Sequence, residues 1–242
     1  MLSNRFWKWG THNCLHRTFP LESKVYFVAG QLPTGDRPTP DMTIGVLALQ
    51  GDFDAHRRRL EELGAEVVLV KKPEQLDRID GLVIPGGESG TFLKLLGEAG
   101  FAKLKDFVHA KPTFGTCAGA ILLATEVENP PQSGLGALNI RIRRNAYGRQ
   151  VDSSIREGKF VSGNRSGDPH DAALREDPLE MVFIRAPKIV HVGDGVEVLA
   201  TEGPDPVAVR QGSAMAATFH PELSADTRVH QAFLELVQNR VP

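Results

Sequence analysis

Cysteine is scarce in this chain. It has two in 242 residues, Cys14 and Cys117, too few for a disulfide framework, so the compartment to expect is a reducing one, the cytoplasm. Long apolar runs are missing too. No segment reaches the roughly 20 apolar residues of a membrane-spanning helix, and the N-terminus lacks the unbroken apolar stretch of a secretory signal. Nor does one sign of charge dominate: 28 Lys and Arg against 30 Asp and Glu leave a net charge of -2, which gives no general attraction to nucleic acid or an anionic membrane. Internal repeats and low-complexity tracts are also absent. What is present is 41% hydrophobic and 24% charged residues, in a length that suits one sizeable α/β domain with a proper core.

Residues 1–41 read as distinct from the rest of the chain. They hold both tryptophans, Trp7 and Trp9, show no periodic apolar pattern and close on the linker-like "PTGDRPTP", after which "MTIGVLALQG" begins abruptly as a buried strand. Met42 is therefore the expected start of a domain over 42–242. The first 41 residues are expected to be a disordered extension or the product of a mis-set upstream start, with a targeting peptide or a genuine extra arm as the alternative. Their "HNCLH" offers His12, Cys14 and His16, but three ligands in one short segment without a fourth do not make a structural zinc site. No metal and no cofactor is expected.

From residue 43 short apolar runs alternate with helical stretches, the pattern of βαβ units and a largely parallel sheet. The spacing predicts strands at "TIGVLALQ", "AEVVLVKK", "DGLVIPG" and "KPTFGT". It predicts an amphipathic helix over 52–63, with Asp52 as N-cap and Gly64 closing it, and two later helical pieces broken at Gly100. Beyond residue 137, "ALNIRIRRNAYG", "LEMVFIRAP", "KIVHVG", "VEVLATEG", "PVAVRQG" and "SAMAATFHPE" read as strands, in part an antiparallel edge, and "DTRVHQAFLELVQNR" as a closing helix. Arg141, Arg143, Arg144 and Arg149 could suggest phosphate binding; alternation with Ile140 and Ile142 fits a strand with one solvated face equally well.

Three short stretches carry chemistry. In "FGTCAGAILLAT", Cys117 has Gly115 and Gly119 two residues to either side. That is the spacing of a nucleophile on a sharp strand-to-helix turn, where backbone passes close to backbone and a side chain would clash. Cys117 would then head a helix starting near Ala118, whose free N–H groups and dipole favour a thiolate. The motif alone fits an inert buried cysteine as well. "TFHPEL" supplies His220, Pro221 and Glu222; read as an extended segment, it puts Glu222 on the same side as His220, a base with its orienter. A surface His-x-Glu pair is the plainer alternative. "PGGESG" ends a strand in a glycine turn, from which the Gly87 N–H, with that of Ala118, could form an oxyanion hole. All three stretches fall at carboxyl ends of strands, where open α/β sheets bind ligands.

Taken together, "LALQGDF", "PGGESGT", "FGTCAGAILLA", "RRNAYGRQ", "FIRAP" and "TFHPEL" resemble the glutaminase subunits of pyridoxal 5′-phosphate synthase, a family of triad (class I) glutamine amidotransferases, over essentially residues 43–240. The resemblance implies a three-layer α/β glutaminase fold with a mostly parallel central sheet, and Cys117, His220 and Glu222 as nucleophile, base and orienter. It implies glutamine binding by Gly87, Glu88, Ser89, Arg144, Ile184 and Arg185. It also implies L-glutamine as substrate and, as partner in a heteromeric complex, a barrel-shaped synthase subunit that receives the ammonia. The sequence departs from the family pattern in its N-terminal extension and in Gly90, where a threonine often follows "GGES". Two other readings stay open at this point: a stand-alone cysteine hydrolase of the γ-glutamyl hydrolase type, and an inactive regulatory subunit.

Overall fold

A computed structural model describes residues 42–146, 153–160 and 178–240. The expectations for residues 1–41 and for Arg149 lie outside the described residues. Strand β1 (Thr43–Leu47), β2 (Glu66–Val70), β3 (Gly81–Ile84) and β4 (Thr113–Thr116) pair in parallel in the order β2-β1-β3-β4, and β12 (Ala214–Ala217) joins β4, also in parallel. Every residue of β3, β4 and β12 is buried, as expected of parallel strands covered on both faces. Beyond β12 the same sheet turns antiparallel through β11 (Asp205–Gln211), β10 (Glu197–Glu202), β7 (Ser154–Phe160) and β8 (Pro178–Phe183). A second sheet holds β5 (Ala124–Glu128), β6 (Leu138–Arg143) and β9 (Lys188–Val192).

The period-two alternation of the strands sends side chains to opposite faces and makes two cores. Leu82 and Ile84 of β3 pack with Phe92 and Leu104 of α2 (Ser89–Ala110) and with α3 (Ala118–Leu123). Val83 between them joins Ile44, Val46 and Phe114 on the other face, under Leu60 of α1 (Phe53–Glu62) and Phe233 of the closing helix α4 (Arg228–Gln238). Each fully buried Leu, Ile or Phe contributes about 1.5–3 kcal/mol of transfer free energy. The three-layer α/β architecture implied by the resemblance is the one observed.

Local differences have local causes. Asp52 stands at the start of α1, but its side chain makes no capping hydrogen bond; Gly64 closes the helix at φ +85 as predicted. The break in α2 is at Gly97 (φ 61, ψ -178), not Gly100. Only Gly97 takes the left-handed conformation that glycine tolerates, whereas Gly100 stays helical and packs close to Pro73 and Leu96. Strands β5 and β7 are not among the segments the spacing predicts; both carry exposed charges that blur the apolar alternation. Arg141 and Arg143 do line the solvated face of β6, where they pair with Glu126 and Glu128 of β5.

Candidate active site

Cys117 joins β4 to α3 with φ 47 and ψ -100, a conformation sparsely populated outside glycine. Its N–H donates to the Ala217 carbonyl of β12 at 2.9 Å, which ties the turn to the neighbouring strand. The two glycines are sterically required. A Cβ on Gly115 would lie 2.5 Å from the Gly119 carbonyl carbon, and one on Gly119 would lie 2.1 Å from the Ile84 oxygen. Ala118 heads α3, where the first N–H groups have no acceptor within the helix.

His220 follows β12, and its own N–H donates to Val182 O of β8 at 2.8 Å. The segment after it is not extended: Pro221–Leu223 forms a 3₁₀ turn, with the proline at its start, where the missing N–H and fixed φ are favourable. Glu222 nonetheless returns to His220, and its Oε1 accepts from His220 Nδ1 at 2.7 Å. That bond leaves Nε2 to face Cys117, which lines the same cavity. Burial works against a charged ring here, but the bonds to Cys117 and Glu222 and the charges of both outweigh it and hold His220 up to about 10. Burial likewise tends to raise Glu222, yet His56 and His220 beside it bring its carboxyl below the usual range.

The glycine turn after β3 passes directly over this pair. A Cβ on Gly86 would sit 2.5 Å from His220 Cε1 and 3.5 Å from Cys117 Cβ. Gly87 follows at φ +134. Gln50, from the loop after β1, grips the next peptide on both sides: its Nε2 donates to Glu88 O at 3.0 Å and its Oε1 accepts from Glu88 N at 3.1 Å. Glu88 in turn caps α2, accepting from Gly90 N at 3.1 Å and Thr91 N at 2.6 Å. Burial tends to raise its carboxyl, but the hydrogen bond from the Thr91 hydroxyl, these two N–H groups and the neighbouring Arg144 together hold it below the usual range.

A cavity of about 220 Å³ opens over these groups. Cys117, His220, Gly87, Glu88, Ser89, Arg144, Ile184 and Arg185 all line it. Glu222 lies behind His220, outside the lining. Arg144, 16% exposed, forms an ion pair with Glu88 at 3.0 Å across the rim, and Ser89 Oγ donates to Gln132 Oε1 at 2.8 Å. Asp52, Ile121, Asn145 and Pro187 complete the wall; of these, sequence reading singled out only Asp52, as a helix cap. Of the four non-glycine residues with positive φ among those described, Cys117, Asn145 and Arg185 line this cavity, as strained backbone tends to do at functional sites. No sequence signal marked the last two as strained. Asp52, His220 and Glu222 each bring a potential ligand atom within 4.8 Å of the others, but His220 Nδ1 and Glu222 Oε1 are already spent on each other.

The profile of the SNO glutamine amidotransferase family matches residues 46–239. The chain is 63% identical over 198 residues to the pyridoxal 5′-phosphate synthase subunit PdxT of Koribacter versatilis, covering 82% of this chain and 97% of that one. It is 49% identical over 199 residues to PdxT of Thermosipho africanus, covering 81% and 100%. A solved glutamine amidotransferase superposes with a TM-score of 0.71 at 44% identity, over 81% of this chain and 98% of its own. PurLQS of Thermotoga maritima, at 15% identity and a TM-score of 0.60 over 83% and 99% of the two chains, shares the fold.

Proposed function

This chain belongs to the SNO glutamine amidotransferase family, and from that premise we infer that it hydrolyses L-glutamine to glutamate and ammonia and supplies the ammonia to pyridoxal 5′-phosphate synthase, as the glutaminase subunit of vitamin B6 biosynthesis. The observation that best supports this reading is the meeting of the strained Cys117 turn with the His220–Glu222 pair in a cavity rimmed by Arg144 and Arg185.

The chemistry is set by residue types. The Cys117 sulfur attacks the side-chain carboxamide carbon, and the resulting oxyanion is held by the Gly87 and Ala118 N–H groups. His220, charged at neutral pH, gives its proton to the departing ammonia; the thioester remains on Cys117. Water then adds to the thioester as His220 takes its proton, and glutamate leaves as the sulfur is released. Glu222 keeps the imidazole in the tautomer that both steps need. Arg144 and Arg185 offer paired guanidinium donors to the α-carboxylate of glutamine, and Glu88, already paired with Arg144, is an acceptor for its α-ammonium. Gly87, Ser89 and Ile184 shape the wall between these ends.

Ammonia is useful only if it reaches its acceptor before it is protonated and lost. The partner we propose is a barrel-shaped synthase subunit, docked in a heteromeric complex at the end of the sheet where Gln50 and the glycine turn lie. Because Gln50 grips the Glu88 peptide, a partner touching the loop after β1 acts on the turn that carries the Gly87 N–H. The functional unit is residues 42–242, in the cytoplasm; no helix among the described residues is long and apolar enough to cross a membrane.

Steady-state glutaminase kinetics across a titration with the cognate synthase subunit test this. One oxyanion donor contributes about 10²–10³ in kcat, so a turn completed by docking should give low basal turnover and a rise of at least about tenfold, mainly in kcat. Cys117→Ala should be inert throughout. Full activity of the chain alone, indifferent to the synthase, would favour an independent cysteine hydrolase.

A further inference from the structure

Behind the triad lies a second set of polar side chains that play no direct part in glutamine hydrolysis. His56 on α1 and His230 on α4 are both fully buried, at 0% exposure. An imidazole in an apolar core is costly unless its nitrogens find partners. His56 Nδ1 lies 3.0 Å from His230 Nε2, and His56 Nε2 lies 3.0 Å from Thr116 Oγ1 and 3.2 Å from Glu222 Oε2. Thr116 immediately precedes Cys117. Glu222 Oε2, buried, accepts no hydrogen bond of its own, so the His56 nitrogen is the polar group that faces it.

The protons in this chain can be assigned by elimination. Burial, the largest influence on both rings, keeps His56 and His230 neutral, His230 down to about 3. Two neutral rings meeting nitrogen to nitrogen need one N–H and one lone pair between them. A carboxylate oxygen only accepts, so a lone pair on His56 Nε2 would face Glu222 in repulsion; that nitrogen carries the proton, bonded to Thr116 Oγ1 and turned with its positive end toward the carboxylate oxygen 3.2 Å away. His56 Nδ1 is then the lone pair, and His230 Nε2–H donates to it. His230 Nδ1 is left bare at the end of the chain, and it is indeed a buried atom without a hydrogen-bond partner.

We propose that His56, backed by His230, is a positioning residue for the triad, whose N–H holds the outer oxygen of Glu222 and thereby keeps the inner oxygen in line with His220. The proposal rests on the glutaminase reading of Cys117, His220 and Glu222. The two carboxylate oxygens then have separate duties: Oε1 orients His220, and Oε2 is anchored through α1 to α4. The charged or titratable groups that act on the histidine pair are Glu222 and His220 from the 3₁₀ turn and its approach, and Asp52 and Arg59 from either end of α1. Removing the His56 N–H takes away one of the two side chains that favour the Glu222 charge and leaves only that of His220 to do so. Glu222 then protonates at higher pH.

The test compares wild type, His56→Leu and His56→Gln as full chains with the cognate synthase subunit. His56→Leu should lower kcat about tenfold or more, leave KM for glutamine within about twofold and move the acid limb of kcat/KM to higher pH, since positioning acts in the transition state. Glutamine can place an amide N–H near the position of imidazole Nε2–H, so His56→Gln should recover kcat to within about threefold of wild type and restore the acid limb. Nitrogen NMR of the imidazoles in the wild-type protein, which needs no variant to fold, should find both rings neutral and protonated at Nε2. An active wild type with an unimpaired His56→Leu overturns the role, as does a His56→Gln no better than His56→Leu, or His56 found charged or protonated at Nδ1. A wild type with no glutaminase activity overturns the underlying reading and this role with it.

Discussion

At Cys117 the backbone is held where a non-glycine residue costs about 1–3 kcal/mol, and the strain aims the sulfur into the cavity beside His220 rather than into the core. In the proposed mechanism His220 and Glu222 divide the acid–base work. Proton transfer contributes about 10²–10⁴ and orientation acts only through it, so His220→Asn should cost more in kcat than Glu222→Gln, measured with the synthase present. The reverse order would exchange or remove these roles. His220 also sets a pH expectation. With its ordinary value of 6.5 raised to about 10, the charged imidazole is the resting form, and the alkaline limb of kcat/KM, which reports the free enzyme, should lie near pH 10 instead of near neutrality. The sign for stability is that of a raised base: the contribution of the His220 charge is fully present below about 6.5 and is lost as pH rises through about 10. An alkaline limb near pH 7 would mean that the Cys117 and Glu222 contacts do not hold the proton.

Among the elements, two glycine turns decide the site, and they fail in different ways. Gly119→Ala would drive a methyl to 2.1 Å from the Ile84 carbonyl of β3, backbone against backbone, so α3 must move off the sheet. Overpacking of this kind costs about 1–3 kcal/mol or more, and the expected result is a lowered Tm. Gly86→Ala instead meets the ring of His220 at 2.5 Å, so the imidazole gives way. Misplacement by about 1 Å can cost 10²-fold in rate; kcat should fall at least about tenfold with a smaller change in Tm than for Gly119→Ala. Equal Tm losses with equal kcat losses would show that the two turns are one structural unit. These glycines were legible as a motif at Cys117 and as a turn after β3, because steric demand leaves a residue-type signature. The identity of the clashing partner was not, since Ile84 and His220 are remote in the chain from the glycines they face.

Across the whole molecule, the parallel strands deliver the cysteine turn, the glycine turn and His220 to one end of the sheet, and β8 holds His220 from the antiparallel side. The family profile matches residues 46–239 of this unit, and a chain starting at Met42 is therefore expected to keep full glutaminase activity and its response to the synthase. Both tryptophans precede that point, so indole emission of the full chain reports on residues 1–41 alone. Strongly blue-shifted emission, or a truncated chain that loses activity, would give residues 1–41 a part in the folded protein.

The sequence by itself determined the order of the α-helices and of the strands other than β5 and β7, the steric need for glycine around Cys117, and the chemistry available to Cys, His and Glu at those positions. Each depends on neighbours within a few residues, so local spacing records it. Only the tertiary structure decided that Pro221 and Glu222 lie on a 3₁₀ turn, that α2 kinks at Gly97, and that Gln50 clamps the Glu88 peptide. It alone brought His56 and His230, 174 positions apart, to within 3.0 Å behind Glu222. A lone histidine on the apolar face of a helix gives no sign of its partner, because the contact is set by how two helices pack on one sheet face.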